Sequence, residues 1–191
     1  MMRLYDRFRK EMNMNNKILI TTLSKTGFTR KYAEMIAEEI PCTLADFQKT
    51  TPETMSSYDT VVFGSRAHAG MFLGYQKAKT MFEKSTAKNF IVFSTGASPN
   101  DAASTIAQFW ENNLGADDLK KIPHFYMQSG LCYEKMGFGD KGMMKVASIM
   151  IGRKKKKTED EKAFEKAISG SYDISSKEYA VPLIDLLRKM N

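Results

Sequence analysis

The stretch Lys17-Ile18-Leu19-Ile20-Thr21-Thr22-Leu23, together with the turn and helix pattern directly behind it, constrains the fold more than any other. It is a short, β-branched, apolar run, the pattern of a parallel strand buried on both faces. A polar turn, Ser24-Lys25-Thr26-Gly27-Phe28, comes next, and then apolar residues at Tyr32, Ala33, Ile36, Ala37 and Ile40. That spacing predicts an amphipathic helix over 29–40, stopped by Pro41. A buried strand that passes through a tight turn into an amphipathic helix is the opening half of a βαβ unit.

The same alternation continues. Strands are predicted over 42–47, 60–64, 89–95 and 122–128, and helices over 74–84 and 101–113. The segment 50–57 is polar and contains Pro52, so it reads as a loop or a weak helical turn. The strands at 60–64 and 89–95 run into small or glycine residues: Ser65 to Gly70 after the third strand, and Gly96 after the fourth. The fifth ends at Ser129-Gly130. Strands alternating with helices of this length imply right-handed crossovers and one parallel sheet covered on both faces. In such sheets ligands bind beyond the carboxyl ends of the strands. The loops after Leu23, Phe63 and Phe93 are therefore the places to look for function.

A chain of 191 residues, 42% apolar and 27% charged, fits one domain with room for an insertion. Residues 1–16 are charged and polar and carry no apolar signal-peptide core. They are expected to be an extension, disordered or added by an early start, since Met12 and Met14 offer later ones; the domain is placed at 17–191. No apolar run reaches the roughly eighteen residues of a membrane span. The two cysteines, Cys42 and Cys132, stand far apart in no CxxC pair. They are expected to be reduced thiols packed as small apolar groups, and a cytoplasmic location is expected with them. The formal charge of +7 bears on partners rather than on fold.

Beyond Gly139 the pattern changes. Met143, Met144, Val146, Ala147, Ile149, Met150 and Ile151 predict a helix with a broad apolar face, followed by Arg153-Lys154-Lys155-Lys156-Lys157. This segment is expected to pack partly as core. Its basic run is a solvated loop or a reversible contact with an anionic membrane face. Nucleic acid is disfavoured, since no binding motif accompanies the charge. A charged helix is predicted over 158–168. Ser176 is predicted to cap a last helix, which Pro182 either starts or kinks.

Chemistry concentrates in Ser24-Lys25-Thr26-Gly27-Phe28-Thr29. Three hydroxyl side chains, a glycine that lets backbone approach closely, and free amides at a helix start make an anion cradle. This turn contains neither GxGxxG nor GK[ST], so the expected anion there is one phosphate monoester rather than a pyrophosphate or triphosphate.

With Ala33 and Ile36, this hexapeptide resembles the phosphate-binding signature of flavodoxins, Ser/Thr-x-Thr-Gly-x-Thr; Thr22 stands where that family usually has an aromatic residue. The resemblance implies an α/β, flavodoxin-like three-layer sandwich. Its five-stranded parallel sheet would be ordered 2-1-3-4-5, with an extra helical segment at the C-terminus. It also implies FMN as cofactor, flavodoxins being themselves a standing example of a ligand at the switch point of such a sheet. The implied cofactor-binding residues are Ser24, Lys25, Thr26, Gly27, Phe28 and Thr29, then Ser65, Arg66, Ala67 and His68, then Thr95, Gly96 and Ala97.

A looser likeness covers most of 17–190. Gly64-Ser65-Arg66-Ala67-His68-Ala69-Gly70 and Ser129-Gly130-Leu131-Cys132-Tyr133 resemble segments of menaquinone-dependent protoporphyrinogen oxidases, although 153–169 looks longer here. This likeness implies an oxidoreductase that passes electrons from an organic, porphyrinogen-like substrate to a quinone, in heme or porphyrin biosynthesis. The basic charge agrees with it: positive surroundings favour an anionic reduced flavin and attract carboxylates. Arg66 and His68 are the catalytic candidates, Arg66 for a substrate carboxylate and His68 for a hydrogen bond to the flavin. His124, at a strand start, reads as structural. The rival readings are an electron carrier that serves a redox protein, and a flavin-free interaction module.

Overall fold

The computed structural model describes residues 16–135 and 170–191, with 137, 139, 142 and 146 between them. Apart from 139, 142 and 146, the Met-rich helix, the lysine run and the charged helix expected between 139 and 169 lie outside the described residues, as does the extension before Asn16.

Among the described residues six strands form the sheet: β1 (Ile18–Leu23), β2 (Thr43–Asp46), β3 (Thr60–His68), β4 (Met71–Phe72), β5 (Asn89–Gly96) and β6 (His124–Gln128). All but β4 are parallel, and they lie in the order β2-β1-β3-β5-β6. That is the expected order 2-1-3-4-5 once the short antiparallel β4 is set aside. Successive side chains of a strand point to opposite faces, and here both faces are apolar. Ile18 and Ile20 face one layer and Leu19 the other.

The first layer is α1 (Phe28–Ala37) with α6 (Val181–Met190). Tyr32, Ala33 and Ile36 of α1 and Leu183, Ile184 and Leu187 of α6 meet Ile18, Ile20, Val62, Ile91, Phe93 and Met127. The second layer holds α2 (Pro52–Met55), α3 (Tyr75–Glu83) and α4 (Ala103–Asn113). Met55, Tyr75, Ala78, Met81 and Trp110 pack there on Leu19, Val61, Phe63, Phe90 and Val92. Helix–sheet–helix is thus a three-layer sandwich. The proline question resolves at α6: Pro182 lies in its first turn, where a missing N–H costs nothing, so the helix starts there and does not kink. Before it, Ser176 Oγ accepts from Glu178 N at 3.3 Å and caps the 3-10 turn Lys177–Ala180.

Two features differ from the sequence pattern. Residues 65–68, expected in a loop, continue β3, and the chain then turns back through Ala69 and Gly70 into β4. Both turn residues have positive φ, 49° and 79°, as a two-residue hairpin turn matching the strand twist demands. A further helix, α5 (Ala116–Lys121), stands between α4 and β6.

Candidate functional site

At the carboxyl edge of the sheet a cleft of about 180 Å³ opens between four strand ends. The turn after β1 supplies Thr26 and Phe28. The end of β3 supplies Arg66, Ala67, His68 and Ala69; the end of β5 supplies Thr95, Gly96 and Ala97. The segment after β6 supplies Ser129, Gly130, Leu131 and Cys132. Chain order reverses between β1 and β3, so the cleft lies where the topology of an open parallel sheet puts its ligands.

The first wall is the turn from β1 to α1. Gly27 sits just before the helix with φ of 103°, a left-handed conformation that side-chain-bearing residues rarely adopt. The first amides of a helix have no acceptor within it. Arg30 N finds Ser24 Oγ at 3.4 Å. Thr29 is buried, and its Oγ1 lies 2.9 Å from Thr95 Oγ1. Two of the three hydroxyls expected to face an anion are therefore engaged by the protein. Ser24 accepts from Arg30 N, and Thr29 ties the turn to the end of β5. Thr26 is the member of the trio that lines the cleft.

The remaining candidates divide in the same way. Ser65 is fully buried and its Oγ donates to Leu23 O at 3.4 Å, which locks β3 to the end of β1. Arg66, Ala67 and His68 line the cleft on the extended β3, not on a free loop. Ser24, Lys25, Gly27, Thr29 and Ser65 are not among the residues lining the cleft, and Lys25 is exposed. His124 keeps its structural reading: its Nδ1 is 2.8 Å from Ile122 O and its ring lies 5.1 Å from that of Trp110.

The third wall is held from behind. A Cβ on Gly96 would stand 2.5 Å from Tyr126 Oη, so only glycine lets β5 close against this ring. Burial pushes the Tyr126 phenol above its ordinary pKa, and its oxygen accepts from Ser98 N at 3.0 Å. Asn100 and Gln128 exchange hydrogen bonds, Asn100 N to Gln128 Oε1 at 3.1 Å and Gln128 N to Asn100 Oδ1 at 3.0 Å.

Sequence reasoning misses the fourth wall. Ser129 and Gly130 are visible as the end of the fifth strand, and that position is itself the signal. Leu131 pairs with Tyr172 from the returning C-terminal segment, Leu131 N to Tyr172 O at 3.0 Å and Tyr172 N to Leu131 O at 2.9 Å. A Cβ on Gly130 would lie 1.9 Å from Tyr172 O, so glycine is what permits this bridge. Cys132 is not packed away as expected. It lines the cleft with Sγ 3.4 Å from Glu134 Oε2, whereas Cys42 packs beside the core, where burial raises its thiol pKa.

These features define an α/β protein with a cleft at its switch point, lined by Thr26, Arg66 and His68 among apolar residues. The chain belongs to the flavodoxin domain family, whose match runs over residues 19–160. No curated protein sequence matches it significantly. Among solved structures it is similar to the flavodoxin, WrbA-like protein from Agrobacterium tumefaciens, at 18% identity over 93% of this chain and 100% of that one, with a TM-score of 0.41. A flavodoxin from the domain Archaea gives 13% identity over 90% and 99% of the two chains, with a TM-score of 0.39. Oxidised Flavodoxin 2 from Bacillus cereus gives 18% over 58% and 84%, also at 0.39.

Proposed function

We propose that the protein is an FMN-binding flavoprotein whose cleft brings an organic redox partner to the flavin. The observation that carries this reading is the β1–α1 turn. Gly27 turns the chain into α1 beside Thr26, at the switch point of a flavodoxin-family domain. The residues present fit the group. A phosphate monoester suits first-turn amides and a threonine hydroxyl. A flat, largely apolar ring suits a cleft walled by Phe28, Ala67, Gly96, Ala97 and Leu131. Bound flavin would supply one- and two-electron transfer, which no side chain here provides.

The chain's own residues then divide the work. Thr26 and the turn amides hold the phosphate. Arg66 and His68, on the β3 arm, face the cleft where a substrate carboxylate and the flavin would meet. With the net charge of +7, this favours an acidic organic donor of the porphyrinogen class and a quinone acceptor. The alternative of a carrier without a substrate of its own predicts a very low flavin potential.

The flavin midpoint potential separates these two readings, and a binding titration tests the FMN reading that both share. Purified protein is expected to bind FMN tightly, FAD more weakly and riboflavin much more weakly. Thr26→Asp is expected to abolish FMN binding by setting a carboxylate against the phosphate. FAD bound as tightly as FMN, or no flavin bound at all, would refute the proposal.

A further inference from the structure

Behind Cys132 the chain makes one 3-10 turn, Tyr133–Lys135, closed by Lys135 N on Cys132 O at 3.2 Å. The turn carries the Lys135 side chain across to the first wall of the cleft. Its ammonium lies 3.7 Å from the point where a Cβ on Gly27 would stand. Gly27 is the residue whose positive φ turns the chain into α1. A cation from the far side of the sheet edge thus stands over the anion cradle. Among the described residues no carboxylate pairs with Lys135. Lys31, on the exposed side of the same helix, is already tied to Asp173 at 2.6 Å.

We propose that Lys135 binds the cofactor's phosphate and makes the site select phosphorylated flavin by charge as well as by hydrogen bonding. The inference rests on the FMN reading above and adds a residue to it that the hexapeptide does not contain. A cradle of hydroxyls and amides offers only dipoles to the dianion that a phosphate monoester carries near neutral pH. An ammonium adds a full opposite charge and up to three donors. Lys135 stands four residues beyond Leu131, which is bridged to Tyr172 of the returning C-terminal segment.

The experiment is a paired titration of FMN and riboflavin against wild type, Lys135→Gln and Lys135→Arg, at low and at high salt. Lys135→Gln is expected to bind FMN about tenfold more weakly, the scale of one charge-assisted hydrogen bond at an exposed site. Its riboflavin affinity should be unchanged, since riboflavin has no phosphate, and this serves as the control for an intact fold. Lys135→Arg should keep most of the affinity. Salt should weaken FMN binding more in wild type than in Lys135→Gln, because the ion pair is screened. Equal FMN affinity in wild type and Lys135→Gln would overturn the role of Lys135 and leave the FMN reading standing. So would a loss shared equally by FMN and riboflavin. If wild type does not discriminate FMN from riboflavin, the FMN reading itself fails and this inference falls with it.

Discussion

Two neighbouring alanines show how much a single side chain decides at the rim of the cleft. Ala67 sits in regular strand, whereas Ala69 occupies the first turn position of the β3–β4 hairpin with φ of 49°. Left-handed backbone crowds a Cβ, and asparagine tolerates it better than alanine. Ala69→Asn is therefore expected to raise stability by about 1 kcal/mol, read as a higher midpoint in urea at unchanged slope. A lower midpoint would show that the turn is not strained at this residue. The same position marks a limit of sequence reading. Ala69-Gly70 is a weak turn signal beside the favoured Asn-Gly, so the segment looks like a glycine-flanked loop and the hairpin stays hidden. The hexapeptide is legible because its glycine and hydroxyls stand where a strand ends. Which hydroxyls turn inward is not legible, because the partners of Thr29 and Ser65, namely Thr95 and Leu23, are set by strand register.

At the scale of elements, the five parallel strands, α1, α3 and α4 announce themselves by period, and their ends move by only a few residues. The helix α5 does not. Its six residues, Ala116-Asp117-Asp118-Leu119-Lys120-Lys121, carry no apolar stripe, and a helix this short is marginal alone. Tertiary contacts hold it. Asp118 accepts from Tyr75 Oη at 2.7 Å and from Lys79 Nζ at 2.8 Å, which joins α5 to α3. Burial opposes ionisation of Asp118, but the hydrogen bonds from Lys79 and Tyr75 outweigh it and hold the carboxyl below its usual range. A depressed carboxyl pKa stabilises the fold above the unfolded value of about 3.9, and the gain is lost as pH falls through the folded value. Asp118→Asn should therefore cost on the order of 1 kcal/mol at neutral pH and show a flatter loss of stability below about pH 4. Identical acid profiles for the two proteins would mean that the triad does not hold α5.

At the scale of the whole molecule, a parallel sheet covered on both faces follows from the alternation of strands and helices, and the order of its strands from the resemblance to flavodoxins. What the pattern does not reveal is how far the C-terminus takes part. Among the described residues no helix is long and apolar enough to cross a membrane. The apolar face of the last helix serves the core instead. Leu183, Ile184 and Leu187 are buried against Ile18, Ile20 and Phe93. Tyr32, whose hydroxyl donates to Gln128 O and accepts from Ser176 N at 3.2 Å, fastens the segment that leads to them; burial pushes its pKa up to about 12. Three such side chains contribute about 5–9 kcal/mol of burial, a sum comparable to the entire stability of a domain. A chain ended after Ser176 is expected to show no cooperative thermal transition, a result that scanning calorimetry would settle. A transition like that of the full chain would show α6 to be dispensable. The same geometry acts during synthesis. A ribosome delivers β1 long before α6, so every described strand emerges ahead of the helix that, with α1, covers one side of the sheet. Until α6 is out, the nascent chain carries a bare apolar surface that a chaperone can hold and another chain can stick to. That layer is therefore completed only when all of the described strands are already waiting.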